Sequence, residues 1–170
     1  MKNKNKVLNR VTKSLRKSQA CTLAVEEISE LITEISLVLA GEGNYDDLCE
    51  EVADVNIMTG LIMNTFKIKS SDIKKAKKLA RPAFTNYMKN HDKEFNLKSC
   101  VYELAKFQKV ICKKVRGRHN KKDIIDSIVA VELSIEFLAS KNFIKDKDCK
   151  NWEKKKIERM QKRIRKNQIV

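Results

Sequence analysis

The sequence predicts an all-α protein, a helical bundle built from two repeats that pack as a pseudo-dimer. Three observations predict it. Four glycines and one proline in 170 residues leave few places to break a helix. Apolar residues recur at helical spacing through most of the chain. A gap-free shift of 76 residues lays the first half on the second, with Glu27 on Glu103, Gly41 on Gly117, Asn44 on Asn120, Asp47 on Asp123 and Asp72 on Asp148.

Taken in order, residues 1–20 read as a basic N-terminal helix or arm, with a short helix over residues 5–17. From Leu23 to Ala40, Ile28, Leu31, Ile32, Ile35, Val38 and Leu39 share one helical face. Gly41-Glu42-Gly43 ends that helix, and Asn44 caps the next, with Asp46 and Asp47 in its first turn to suit the helix dipole. Leu48, Val52, Val55, Met58 and Ile62 make its apolar side. Ser70 or Ser71 starts another helix, which Pro82 should interrupt near its end. Residues 85–98 are polar and read as a boundary. The division is therefore 1–20, a first repeat over 21–84 and a second over 97–170.

Composition narrows the class. A hydrophobic fraction of 42% is enough for a core and argues against disorder. No run approaches the roughly 18 apolar residues of a membrane span, so no membrane partner is expected. The basic start, Met1 to Lys6, has no apolar segment behind it and does not read as a secretory signal. Cys21, Cys49, Cys100, Cys112 and Cys149 form no C-x-x-C pair and lie apart from His91 and His119. They read as small core residues in a reducing, cytoplasmic setting rather than as a zinc site or disulfide framework. The formal charge of +15 favours phosphate-bearing partners.

That charge is unevenly spread. Residues 21–66 contain no Lys or Arg and ten carboxylates, while the other 124 positions hold 37 basic and 12 acidic residues. Within the window, Glu27 and Glu30 lie at i and i+3, as do Glu51 and Asp54. A short Gly-containing loop joins their helices, so the pair should run antiparallel and bring four carboxylates to similar depth. Such a cluster needs cations to neutralise it, and Mg²⁺, with Mn²⁺ as an alternative, suits oxygen ligands.

The motif Glu26-Glu27-Ile28-Ser29-Glu30, a spacer, then Glu51-Val52-Ala53-Asp54 resembles the EExxE…ExxD signature of the MazG-like, all-α nucleoside triphosphate pyrophosphohydrolases. The resemblance covers roughly residues 21–80, and the duplicated plan is similar to that of the related dimeric all-α dUTPases. It implies Mg²⁺-dependent hydrolysis of an NTP or dNTP to monophosphate and pyrophosphate. It also implies Glu27, Glu30, Glu51 and Asp54 as metal ligands, with Glu30 as the general base. The second repeat departs from the pattern, with Glu103, Lys106, Ser127 and Ala130 at the four positions. Its tail resembles the basic closing helix of phage-type members, with Lys156, Arg159 and Arg163 on one face. The expectation is one composite site, with metals on the first repeat and substrate phosphates held by the tail of the second. Further homo-oligomerisation fits the family's habit. Two other readings compete. One is a basic helical module binding nucleic acid through Lys74–Lys78, Lys113–Arg118 and the tail. The other is a non-catalytic scaffold of this fold that binds a partner protein or a nucleotide.

Overall fold

The computed structural model describes residues 2–118 and 120–166; His119 lies outside the described residues. Seven helices follow one another, with no strand among the described residues: α1 (Lys2–Ser14), α2 (Lys17–Ala40), α3 (Tyr45–Thr65), α4 (Ser70–Lys89), α5 (Lys93–Val115), α6 (Lys121–Ser140) and α7 (Asp146–Arg165). The protein is an all-α bundle. The first residues of α2, α3 and α4 recur 76 positions later as the first residues of α5, α6 and α7.

The two hairpin turns are built by the same chemistry. Gly41 and Gly117 adopt φ of 81° and 73°, a region open to glycine at little cost. The amide of the following residue reaches back to the last helical turn, Glu42 N to Leu37 O and Arg118 N to Lys113 O, each at 2.9 Å. These bonds satisfy carbonyls that the helix end would otherwise leave open. Asn44 then caps α3 by accepting from the amides of Asp46 and Asp47. Asn120 caps α6 by accepting from Asp123 N at 3.0 Å, and the Asp123 carboxylate returns a bond to the Asn120 amide.

Packing crosses between the halves. The α2–α3 and α5–α6 hairpins meet through α2 and α5. The third helix of each half leaves its own hairpin, so that α4 packs on α6 and α7 packs on α3. Exchanging the halves leaves this pattern unchanged. Polar ties at the crossings follow the same rule. The Tyr45 hydroxyl donates to Asp148 Oδ2 at 2.8 Å, and Lys121 pairs with Asp72 at 3.4 Å, one residue pair being the 76-residue equivalent of the other. One continuous hydrophobic cluster runs through all seven helices, with Ile28, Leu31, Ile35, Phe107, Ile111, Ile124 and Ile128 fully enclosed. Cys21, Cys49, Cys100 and Cys149 are buried, Cys112 is exposed, and all are free thiols. Burial pushes the Cys100 thiol up to about 12, which leaves it inert.

Helix α1 has no counterpart in the second half. It lies on α3 and α7, with Val7, Leu8 and Val11 buried. Lys4 holds it there by pairing with Glu153 at 3.1 Å and donating to the Asn56 carbonyl at 3.3 Å. A Cβ placed on Gly60 would stand 2.7 Å from Leu8 Cδ1, so the missing side chain sets how closely α1 approaches.

One expectation differs from what is observed. Pro82 does not interrupt α4, which continues to Lys89. Pro82 and Lys78 are exposed, so water can take the carbonyl that loses its partner, while buried Met88 anchors the last turn. The polar stretch 85–98 contains the turn at residues 90–92 that separates α4 from α5, with the end of one helix and the start of the other on either side. Its polar residues are caps and ties. Asp92 Oδ1 accepts from Phe95 N at 2.7 Å, and buried Asn96 donates to Met88 O and His91 O at 2.8 and 3.1 Å.

Gly60→Val should force α1 away from α3. Urea denaturation is expected to show a loss of about 1–3 kcal/mol from overpacking. Limited trypsin digestion should cut within α1 faster than in the wild type, with the remaining helices still resistant.

Candidate functional site

The antiparallel α2–α3 hairpin sets Glu27 opposite Glu51 and Asp54, and one carboxylate oxygen from each lies within 4.8 Å of the others. They form the only such acidic or His/Cys cluster among the described residues. Asp54 is buried, Glu27 and Glu51 are half-buried, and Glu30 is exposed beside Glu27. The structure thus brings three of the four predicted ligands together and leaves Glu30 at the rim. Glu51 Oε2 is enclosed with no hydrogen-bond partner. A buried acceptor without a donor is costly, and a cation beside it would remove that cost.

Electrostatics follow from this crowding. Burial, then the charges of Asp54 and Glu30, push Glu27 up to about 8. Burial and the same two neighbours push Glu51 up to about 7, with Lys156 opposing. Asp54 is also raised, because burial outweighs its bond to Lys156. Without a cation the cluster is therefore partly protonated near neutrality.

Across from the carboxylates stands α7. The Lys156 ammonium lies 2.5 Å from Asp54 Oδ2 and 2.5 Å from Glu50 Oε1. Burial works against this charge, but the hydrogen bonds to Asp54 and Glu50 overcome it and hold the Lys156 value above the ordinary one. A window free of basic residues in sequence is thus not free of them in space. Arg159 and Arg163 project from the same helix into a cleft of about 290 Å³, which they share with Glu26, Glu27, Asp54 and Lys156. Val11, Leu23, Ile57, Met58, Leu61 and Met160 supply its apolar lining. The cleft has an acidic wall from α2 and α3, a basic wall from α7 and a contact from α1.

Sequence reasoning did not place Glu26, Glu50 or Val11 at this site. Glu26 stands first in the acidic motif and carried a usable signal. Glu50 and Val11 had none, because only the crossing of α7 and the docking of α1 bring them in. In the second half, Glu103 pairs with Lys106 at 3.2 Å, and buried Ser127 donates to Asp123 O, so the equivalent positions gather no carboxylates. Among the aromatic residues, Phe107 is wholly core, Phe66 and Phe84 pack against the core, and Tyr87 and Tyr102 are exposed.

The raised carboxylates fix the sign of a pH effect. Between the unfolded value of 4.5 and the folded values of about 7 and about 8, the native state holds more protons than the unfolded one. The stability these groups contribute is present at low pH and is lost as pH rises through that interval. Metal-free protein should therefore melt lower at pH ~8 than at pH ~5. Mg²⁺ should raise the melting temperature most at the higher pH, and Glu51→Gln should flatten both trends. Differential scanning fluorimetry across pH, with and without Mg²⁺, measures this.

The chain matches no protein-family model, no curated protein and no solved structure.

Proposed function

We propose that this protein is a MazG-like pyrophosphohydrolase that uses Mg²⁺ to cleave an NTP or dNTP into a monophosphate and pyrophosphate. The observation that carries the reading is the meeting of Glu27, Glu51 and Asp54, with an unpartnered buried oxygen on Glu51, opposite Arg159 and Arg163. An acidic wall suits a hard divalent cation and a basic wall suits a polyphosphate, and a nucleoside triphosphate with its cation brings both.

The donor set fits the ion. Glu27, Glu51 and the Asp54 oxygen not bonded to Lys156 are hard oxygen ligands from two rigid helices. When bound, Mg²⁺ supplies charge neutralisation at phosphoryl oxygens and makes water a better nucleophile. The protein's own residues do the rest. Arg159 and Arg163 bind and orient the phosphate chain, their planar guanidinium groups matching phosphate oxygens in pairs. Glu30, exposed beside Glu27, accepts the proton of the attacking water. Lys156 bonds Asp54 and Glu50 and holds α7 against α3. Val11 and the neighbouring apolar side chains limit water in the cleft.

One observation favours a second reading. Lys156 already supplies a positive charge to Asp54, as an internal counterion would in a scaffold that no longer turns over substrate. Pyrophosphate release from a panel of NTPs and dNTPs separates the two. The catalytic reading expects Mg²⁺-dependent release from at least one nucleotide and a loss of about a hundredfold or more for Glu51→Gln. Arg163→Ala should raise KM more than it lowers kcat. No release from any nucleotide, with Mg²⁺ failing to raise the melting temperature, would establish the scaffold.

A further inference from the structure

A larger groove, about 680 Å³, opens between α4 and α5 on the other half of the molecule. It is the counterpart of the carboxylate cleft. Shifting by 76 residues places Ala83 where the cleft has Arg159, Phe84 for Met160, Tyr87 for Arg163 and Tyr102 for Glu26. Arg159, Arg163 and Glu26 thus give way to Ala83, Tyr87 and Tyr102, while Glu103 keeps the carboxylate of Glu27 and pairs with Lys106. The cover differs too, because α1 closes over the cleft through Val11 and, among the described residues, no equivalent helix lies over the groove.

Its rings are unusually open. Tyr87, Phe95 and Tyr102 are 46%, 40% and 64% exposed. His91 stacks on Phe95 with centroids 4.1 Å apart and planes 13° apart, and it also touches Tyr87, which fixes one wall of the groove. Lys98 lines the groove, and the Lys106 ammonium lies 5.8 Å from the Tyr102 ring. Together α4 and α5 carry twelve Lys or Arg and three Asp or Glu. Lys74, Lys75, Lys78 and Lys89 on α4 are exposed.

We propose that this groove binds single-stranded nucleic acid, with bases stacking on Tyr102, Phe95 and Tyr87 and phosphates held by the lysines of α4 and α5. Exposed rings on a basic surface are the recurring means of holding an unpaired strand, because every base has a face to stack and every linkage a charge. A duplex keeps its base faces stacked away from such rings. A second copy of this chain would set the same basic helices against each other, so like charges oppose self-association here. The lysine run 74–78 and the basic end of α5, which the carboxylate cleft does not use, acquire a role. The site is separate from the proposed catalytic cleft and does not depend on it.

The test is fluorescence anisotropy with fluorescein-labelled oligo(U) and oligo(dT) of about 15 nucleotides. Affinity is expected to fall with salt at a log–log slope of about −3, from four or five phosphate contacts at roughly 0.7 each. Tyr102→Ala should weaken binding at least about fivefold, and Tyr87→Ala should weaken it further, while Tyr102→Phe retains it. Pyrophosphate release, where present, should be unaltered in these variants, so the two proposals fail separately. Salt-sensitive binding that is indifferent to both alanine changes would overturn the proposal by reducing it to general charge. Equal competition by UMP would overturn the strand reading. Binding only of an acidic amphipathic peptide, displaced by neither oligonucleotide, would assign the groove to a protein partner instead.

Discussion

Glu27, Glu51 and Asp54 repel one another across the α2–α3 hairpin, and burial removes much of the water that would screen them. Two apolar helix faces press against each other only if that repulsion is met. The structure meets it from outside the hairpin. Lys156 arrives on α7, bonds Asp54 and Glu50, and brings Arg159 and Arg163 with it. The balance is incomplete, since Glu51 keeps an unpartnered oxygen and Glu27 is pushed up to about 8. Incomplete neutralisation is what a structural ion pair avoids and what a cation site requires.

Crossing of the third helices makes this arrangement available. Had α7 packed on its own hairpin, its basic face would lie beside Ser127 and Ala130, which have no charge to offer. Because α4 and α7 exchange places, each hairpin is faced by a helix from the other half. On the opposite side the exchange has a plainer outcome. Lys77 and Arg81 of α4 pair with Glu132 and Glu136 of α6, in a network in which all but Arg81 are half-buried. One scaffold therefore carries two sets of cross-half contacts: α4 on α6 pairs its charges beside a cleft lined by Phe84, Met88, Leu133 and Phe137, while α7 on α3 sets a basic wall against an acidic one.

The two halves differ at equivalent positions in a consistent direction. The first keeps acids on its hairpin and receives a basic helix. The second loses the acids, pairs Glu103 with Lys106 and gains Tyr87, Phe95 and Tyr102 around an open groove. Helix α1 strengthens the difference by covering one side only. Its close seat depends on Gly60, whose equivalent is Glu136, a side chain too large to admit a helix at that distance.

Much of this was legible in the sequence, because it depends on neighbours along the chain. The helices follow from local periodicity and the scarcity of breakers. The turns at Gly41–Asn44 and Gly117–Asn120 follow from capping chemistry, which acts over three or four residues. The 76-residue repeat and the facing of Glu27 with Glu51 and Asp54 follow from helix geometry and a short loop. Pro82 misled for a related reason. A proline's lost hydrogen bond costs less where water can reach the freed carbonyl, and burial is not local. Tertiary structure alone decided that Glu30 stays at the rim, that Lys156 bonds Asp54, that Glu50 and Val11 join the site, and that the aromatic groove remains uncovered. These depend on which helix crosses to which partner. That choice is made by the summed burial of one core shared by all seven helices, a quantity no short segment of the chain contains.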